Sequence, residues 1–414
     1  MINNIYYKNI SKIFSMEILA KALFSIISLG IIRFLSQNEF AIYIIALSTI
    51  SIITSSVGAV FNRLFIAGKF DQNKFTFLPF FLIQMALLIL LFLFFLPIKS
   101  IYNGNLDVVF YASALQVLLI FIQTSFQKEL QFSKYYLSEY LRLFVYLLLF
   151  IFLFLNDFLN ARNILSIQAI SAGISSLIFI SKVSFKRESF LFKKIISLFR
   201  VLINGSNKYL IFYSIIVILI SSLDTILIRI FDDTNQVAIF GAAFTYYGIL
   251  QAILYAVNKL YLPMLQKTNS LREINSAMDT LNNLNTRYLS ILFVMIILSA
   301  PFLIPIIDNG KYPESILIFQ ILGISSFFSL VLSPYKNIIF KFSDNKYIFK
   351  IYFLSLIIVY GIILPNIIIR YHALGVAVVF LLNWFTVNFL SYLRAKKILK
   401  IIDMYGWDSL NHRN

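Results

Sequence analysis

The chain has 414 residues, of which 60% are hydrophobic and 13% charged, with a formal net charge of +17 and no cysteine. Soluble domains average about 25% charged residues, so this composition excludes a soluble enzyme. It also excludes disulfides and thiolate metal sites. His372 sits in a predicted loop and His412 in the tail, so no histidine metal cluster forms and no cofactor is expected.

Continuous apolar runs recur along the chain without period-2 alternation. The run from Thr76 to Ile98 carries no charge. At about 1.5 Å per residue it is long enough to cross a hydrocarbon core of roughly 30 Å. Backbone groups inside lipid must bond within the segment, so helices are the solution that fits. The reading is an all-α polytopic membrane protein with twelve spans: 11–32, 40–61, 76–97, 107–127, 137–156, 163–181, 208–229, 237–262, 288–307, 314–334, 350–369 and 374–394. Pro97, Asn103-Gly104, Asn309-Gly310 and Pro313 punctuate their ends.

In the first span, "SMEILAKALFSIISLGII" places Glu17 and Lys21 four residues apart, on one helical face with Ser25 and Ser28. A charge at mid-membrane costs roughly 2.5–3.5 kcal/mol. Either this face lines a wet cleft near the cytoplasmic mouth, or both side chains snorkel to the interface and only fix topology. In the fourth span, Gln116, Gln123 and Gln127 recur at helical spacing. In the fifth, Arg142 follows Glu139 at i+3 near the inner end; a cleft position and an interfacial one both fit. Residues 183–207 carry Leu191, Phe192, Ile195, Ile196, Phe199 and Leu202 at helical spacing between basic residues. That pattern predicts an amphipathic helix on the inner membrane surface.

The seventh span holds Asp224 after a long charge-free run. It is a candidate proton or cation coupling site, or a brace for Arg229. In the eighth, Tyr247, Gln251, Tyr255 and Asn258 form a polar stripe. Such stripes serve as interhelical glue or offer hydrogen bonds and ring faces to a sugar; the set is expected to face a cleft. Asn383, Trp384 and Asn388 in the last span are weaker candidates.

Positive charge sets the orientation. Of the 35 Lys and Arg, only Arg33, Lys99, Arg162, Arg229, Lys311 and Arg370 fall on the side opposite the N-terminus, and Lys21 and Arg142 fall within spans. Both termini are therefore expected inside. The net charge reads as a topology signal with attraction to anionic membrane lipids. No basic domain outside the spans supports nucleic-acid binding.

Two stretches echo each other. Arg33 and Asn62 are separated by as many residues as Arg229 and Asn258, and each Asn precedes a base and a Leu. The chain is thus read as an N-terminal six-helix bundle (1–182), a linker (183–207), a C-terminal six-helix bundle (208–398) and a cytoplasmic tail (399–414). An even number of spans per half puts the pseudo-twofold axis along the membrane normal, as in rocking transporters.

Three stretches carry a family resemblance. "IIRFLSQNEFAIYIIALSTI" matches a loose Arg-Leu-x4-Phe/Gly-x-Tyr pattern, with Ala41 where Gly is usual. "LDTILIRIFDDTNQVAIFGAAFTYYGILQAILYAVNKLYLPML" contains Asp224, Ala238-Ile239-Phe240, Ala242-Ala243 and Pro263. "NKYIFKIYFLSLIIVYGIILPNIIIRYHALGVAVVFLLNWF" has Gly375-Val376-Ala377 for Gly-Ala-Ala. In these the chain resembles Wzx-type oligosaccharide flippases of the MATE-like MOP exporter superfamily.

The resemblance implies a non-enzymatic flippase in the bacterial inner membrane. It would move an undecaprenyl-pyrophosphate-linked oligosaccharide, an O-antigen or capsule repeat, by alternating access. Glycan polymerase and chain-length proteins are the implied partners. Lys21 and Arg142 would meet phosphate, Asp224 would be a coupling site, and the glutamine and tyrosine stripes would meet sugar. A multidrug or small-cation antiporter of the same superfamily should show more acidic residues in its spans. A membrane-embedded glycan polymerase should show a large outer loop.

Overall fold

A computed structural model describes residues 2–59, 77–129, 131–183, 207–266, 268, 270–284, 288–342 and 344–405. Glu17, Tyr255 and Asn258 lie on helices, but their side chains are outside what is described, as is the linker segment 184–206. The regular elements among the described residues are all helical. They are α1 (Ile2–Phe34), α2 (Gln37–Thr54), α3 (Phe77–Phe95), α4 (Leu106–Lys128), α5 (Phe132–Leu155), α6 (Ala161–Ile180), α7 (Asn207–Phe231), α8 (Thr234–Gln266), α9 (Leu271–Leu284), α10 (Ser290–Asp308), α11 (Ser315–Lys341), α12 (Asn345–Ser355) and α13 (Leu364–Tyr405). π-turns extend α2 (Ser55–Ala59) and join α12 to α13 (Leu356–Ile363), and a 3-10 segment follows α3 (Leu96–Tyr102).

Nine helices among the described residues are long and apolar enough to cross a membrane, or ten if α3 and its 3-10 continuation, bent by 71°, make one span. One of the nine is a 60-residue segment, Asn345–Met404. Straight, it would run about 90 Å, three times the hydrocarbon core. It breaks at His372 (φ 53, ψ −149), a backbone region that costs a non-glycine residue of order 1–3 kcal/mol. A Cβ on Gly375 would sit 2.6 Å from Ile367 Cγ2 and 2.7 Å from Tyr371 Cβ. Glycine is needed there for the chain to fold closely back on itself. The break yields the expected spans 350–369 and 374–394. With α1, each of the twelve expected spans falls in a helix, and the protein is a multi-pass membrane protein.

The contacts divide the chain at residues 238/239. By these contacts α7 groups with the helices before it. Its partner there is α2. In this N-terminal unit, α2 is the enclosed helix, with 78% of its apolar window buried, against 17% for α10 in the C-terminal unit. The exposed Ile291, Leu298, Phe302 and Ile306 of α10 are what a lipid-facing helix requires.

Short-range chemistry sets the helix ends. Ser36 caps α2 by accepting from Glu39 N (3.3 Å), in an S-x-x-E sequence. Glu39 Oε2 in turn accepts from Ala161 N (2.7 Å), while Asn160 Oδ1 accepts from Asn163 N (2.8 Å). Two orphan donors of α6 are thus satisfied. Asn309 and Gly310 both adopt positive φ (57° and 71°), and Gly310 N donates to Pro305 O (3.1 Å) to close α10. Gln84 Nε2 of α3 donates to the Val57 carbonyl in the π-turn at the end of α2 (3.0 Å).

In the C-terminal unit, α11 packs along α13 and against α10. The surface helix α9, absent from the sequence reading, lays Ile274, Ala277 and Met278 onto this pair and turns its polar side out. Lys341 Nζ donates to Leu265 O, Thr268 O and Thr268 Oγ1 (2.6, 2.6 and 3.0 Å). An ammonium at the end of α8 satisfies carbonyls that helix leaves open.

A polar cavity within the N-terminal helices

A cavity of about 390 Å³ lies inside the N-terminal unit, enclosed by α1, α2, α4, α5 and α6. Its polar lining includes Lys21 from α1, Ser51 and Thr54 from α2, Gln116 and Gln123 from α4, Tyr135, Tyr136, Glu139 and Arg142 from α5, and Gln168 from α6. Lys21, Gln116, Gln123 and Arg142, each chosen from sequence, therefore meet in one place. The spacing explains it. Gln116 and Gln123 are two turns apart on α4, and Glu139 and Arg142 one turn apart on α5, so each pair lies on one face.

The centre of the site is an ion pair with a third partner. Arg142 Nε donates to Glu139 Oε2 (3.1 Å) and a terminal guanidinium nitrogen donates to Glu139 Oε1 (2.5 Å). Gln123 Nε2 donates to Glu139 Oε2 (3.0 Å). Both carboxylate oxygens are engaged, in the fork geometry that favours arginine. The Arg142 and Glu139 side chains are 12% and 23% exposed. This depth is expensive for separate charges, and pairing makes it tolerable.

Lys21 lines the same cavity with a solvent-accessible side chain and acts electrostatically on Glu139. Tyr140 Oη donates to Met16 O (2.9 Å), tying α5 to α1 beside it. Ser175 Oγ donates to Ser138 O (2.7 Å), tying α6 to α5. Tyr135 and Tyr136 meet edge to face at 4.9 Å. Gln168 is 3% exposed, and its side-chain oxygen makes no hydrogen bond to the described residues.

The other sequence candidates are placed elsewhere. Tyr247 and Gln251 belong to the C-terminal unit and are spent on helix contacts. Gln251 Nε2 donates to Tyr247 Oη and to Ser326 Oγ of α11 (3.0 Å), and Tyr247 Oη lies 3.5 Å from Ser325 Oγ. Phe380 packs edge-on against the Tyr247 ring at 5.8 Å. For these two the described hydrogen bonds run along α8 and to α11, the interhelical-glue role of such a stripe. Asn383 and Asn388 are also buried in polar pairs, with Ser355 Oγ (2.6 Å) and Ser329 Oγ (3.1 Å). Glu17, Tyr255 and Asn258 are expectations whose side chains lie outside the described residues. Asp224 is 2% exposed on α7 and is not among the residues lining the cavity. No group of three or more His, Cys, Asp or Glu able to hold a metal ion occurs among the described residues.

Sequence reasoning underweighted Glu139, seen only as a neighbour of Arg142, and passed over Gln168, Tyr135 and Tyr136. Gln168 stands alone in a Ser- and Ala-rich helix, so no stripe marks it. A larger depression, about 570 Å³, runs along the polar side of α9, but all its lining residues come from that one helix. Among the described residues no second helix lines it.

No protein-family model and no curated relative matches the sequence. Solved structures do match over nearly the whole chain. The lipid II flippase MurJ in an inward closed conformation aligns with a TM-score of 0.62 at 14% identity, covering 97% of this chain and 93% of that one. An inward-facing multidrug resistance MATE family transporter of the MOP superfamily gives 0.60 at 13%, covering 95% and 96%. A Vibrio cholerae MATE transporter variant gives 0.56 at 14%, covering 97% and 100%. The chain thus has the helical fold shared by MATE transporters and MurJ.

Proposed function

We propose that the protein is a flippase in the bacterial inner membrane. Its cargo is an undecaprenyl-pyrophosphate-linked oligosaccharide, an O-antigen or capsule repeat unit. The head group enters a polar cavity by alternating access while the lipid tail stays in the bilayer. Glycan polymerase and chain-length proteins are the natural downstream partners. The observation that carries this reading is the content of the N-terminal cavity: a guanidinium fork and an ammonium, bordered by three glutamines and two phenol rings. Phosphate recognition uses the first two; glutamines and tyrosines suit hydroxyl-rich sugar. The volume falls within the roughly 300–1,000 Å³ of small-molecule sites.

The cation-antiporter reading has its own support in Glu139. Both of its oxygens are already held by Arg142, however, and with Lys21 the described lining is net positive. That favours an anionic cargo.

The test is deletion of the gene in its host, followed by inspection of surface glycan and lipid-linked intermediates. The expected result is loss of surface glycan with intermediates trapped on the cytoplasmic leaflet, restored by the wild-type gene. Normal glycan with altered drug sensitivity would instead establish the antiporter.

A further inference from the structure

We infer that Glu139 acts as a stand-in anion on the Arg142 fork, which the cargo's diphosphate displaces, and that this exchange takes up a proton. The inference rests on the flippase reading and adds a coupling role to one residue of its cavity. Its basis is geometric. Glu139 and Arg142 are one turn apart on the same helix, so their bonds to each other tie no two helices together; the inter-helix link is the one from Gln123 to Glu139. Yet Arg142 spends two donors on Glu139, at 3.1 and 2.5 Å, inside the cavity. A phosphate competes for the same fork with the same bidentate geometry.

Once displaced, Glu139 keeps Gln123 (3.0 Å) but loses its guanidinium and faces a dianion. Burial and a neighbouring like charge both favour the protonated carboxyl. The proton comes from bulk water through the open cavity. Among the described residues, the other charged or titratable groups at this site are Lys21 on α1 and Tyr135, Tyr136, Tyr140 and Arg142 on α5, with Tyr43 on α2 and Tyr146 on α5 beside Arg142; α4 and α6 line the cavity with uncharged side chains only, and the Glu17 side chain lies outside the described residues. Glu139 is the one carboxylate among the described lining residues.

The sign follows from linkage. Binding that takes up one proton strengthens as pH falls, by up to roughly tenfold per pH unit. The experiment uses purified full-length protein and a farnesyl diphosphate ester of N-acetylglucosamine, whose doubly esterified phosphates do not titrate near neutrality. Calorimetry in two buffers of different ionisation enthalpy counts protons on binding, and affinity is followed from about pH 5.5 to 8.

The expected result is uptake approaching one proton in the wild type, and pH-independent, tighter binding at pH 8 in Glu139→Gln. Glu139→Asp should keep the slope. Binding to the wild type without proton uptake, or an unchanged slope in Glu139→Gln, overturns the inference while leaving the cavity reading intact. No wild-type binding, or full affinity in Arg142→Gln, overturns the cavity reading itself. If Glu139→Gln fails to fold, the wild-type proton count decides alone.

Discussion

In the N-terminal unit, Lys21, Gln116 and Gln123 border a cavity. In the C-terminal unit, Gln251, Asn383 and Asn388 end on Ser326, Ser355 and Ser329. Both sets include side-chain amides on apolar helices. What differs is the facing helix. α11 presents Ser326 and Ser329, and α12 Ser355, at bonding distance, so amide meets hydroxyl. In the N-terminal unit the cavity wall carries Glu139 and Arg142 beside Ser51 and Thr54, and Arg142 folds onto Glu139 of its own helix. No neighbour fills the volume the helices leave. A polar stripe therefore does not by itself announce a binding site; what the facing helices bring to it decides.

This contrast predicts that polar lesions in the N-terminal cavity abolish function and those in the C-terminal unit affect stability. The largest effect is expected for Arg142→Gln. It removes the fork and leaves Glu139 uncompensated, and truncating one partner of a buried charged contact costs about 2–5 kcal/mol of binding. Affinity for the diphosphate probe should fall roughly thirtyfold or more, and surface glycan should not be restored on complementation. Arg142→Lys, which keeps charge without the fork, should recover part of both.

Next is Gly375→Ala. The added Cβ meets Ile367 and Tyr371 at 2.6 and 2.7 Å, and overpacking costs about 1–3 kcal/mol. Thermal unfolding in detergent should shift downward, with probe affinity unchanged in the protein that remains folded.

Gln251→Leu should cost less, about 0.6 kcal/mol and at most about 1.7, the range for interhelical polar contacts in membranes. It should still support surface glycan; loss of transport at normal stability would return that residue to the cargo path. Smallest is Arg162→Ala, which breaks a pair with Asp107 (2.7 Å) whose side chains are about half exposed. Exposed pairs contribute roughly 0–1 kcal/mol. A near-silent result would separate position in the cavity from charge as such.

The twelve spans were legible because apolar runs in lipid leave the backbone one solution, and turn residues such as Asn309-Gly310 mark where it stops. Arg142, Gln116 and Gln123 were legible because polar atoms in such runs are costly enough to need a reason. Gln251 was equally conspicuous, but the serines that answer it lie on a helix far along the chain, and no local pattern shows which faces meet. The same long range hides Lys341 at the end of α8. Helix α9 escaped notice because Ile274, Ala277 and Met278 make only one short apolar stripe. The π-turns that re-aim α2 have no sequence rule of comparable strength. Grouping of α7 with the first unit depends on its contact with α2, which the internal echo between halves does not encode.

The natural absence of cysteine allows a direct test of the central claim, that the cargo's head group occupies the N-terminal cavity. Single cysteines at Gln116, Thr54, Ser326 and Asn383 would be labelled with a hydrophilic maleimide, with and without the diphosphate probe. The account predicts that Gln116→Cys and Thr54→Cys react and are protected by probe, while Ser326→Cys and Asn383→Cys stay unreactive. Labelling at Ser326 and Asn383 that the probe blocks, with none blocked at Gln116 or Thr54, would contradict it.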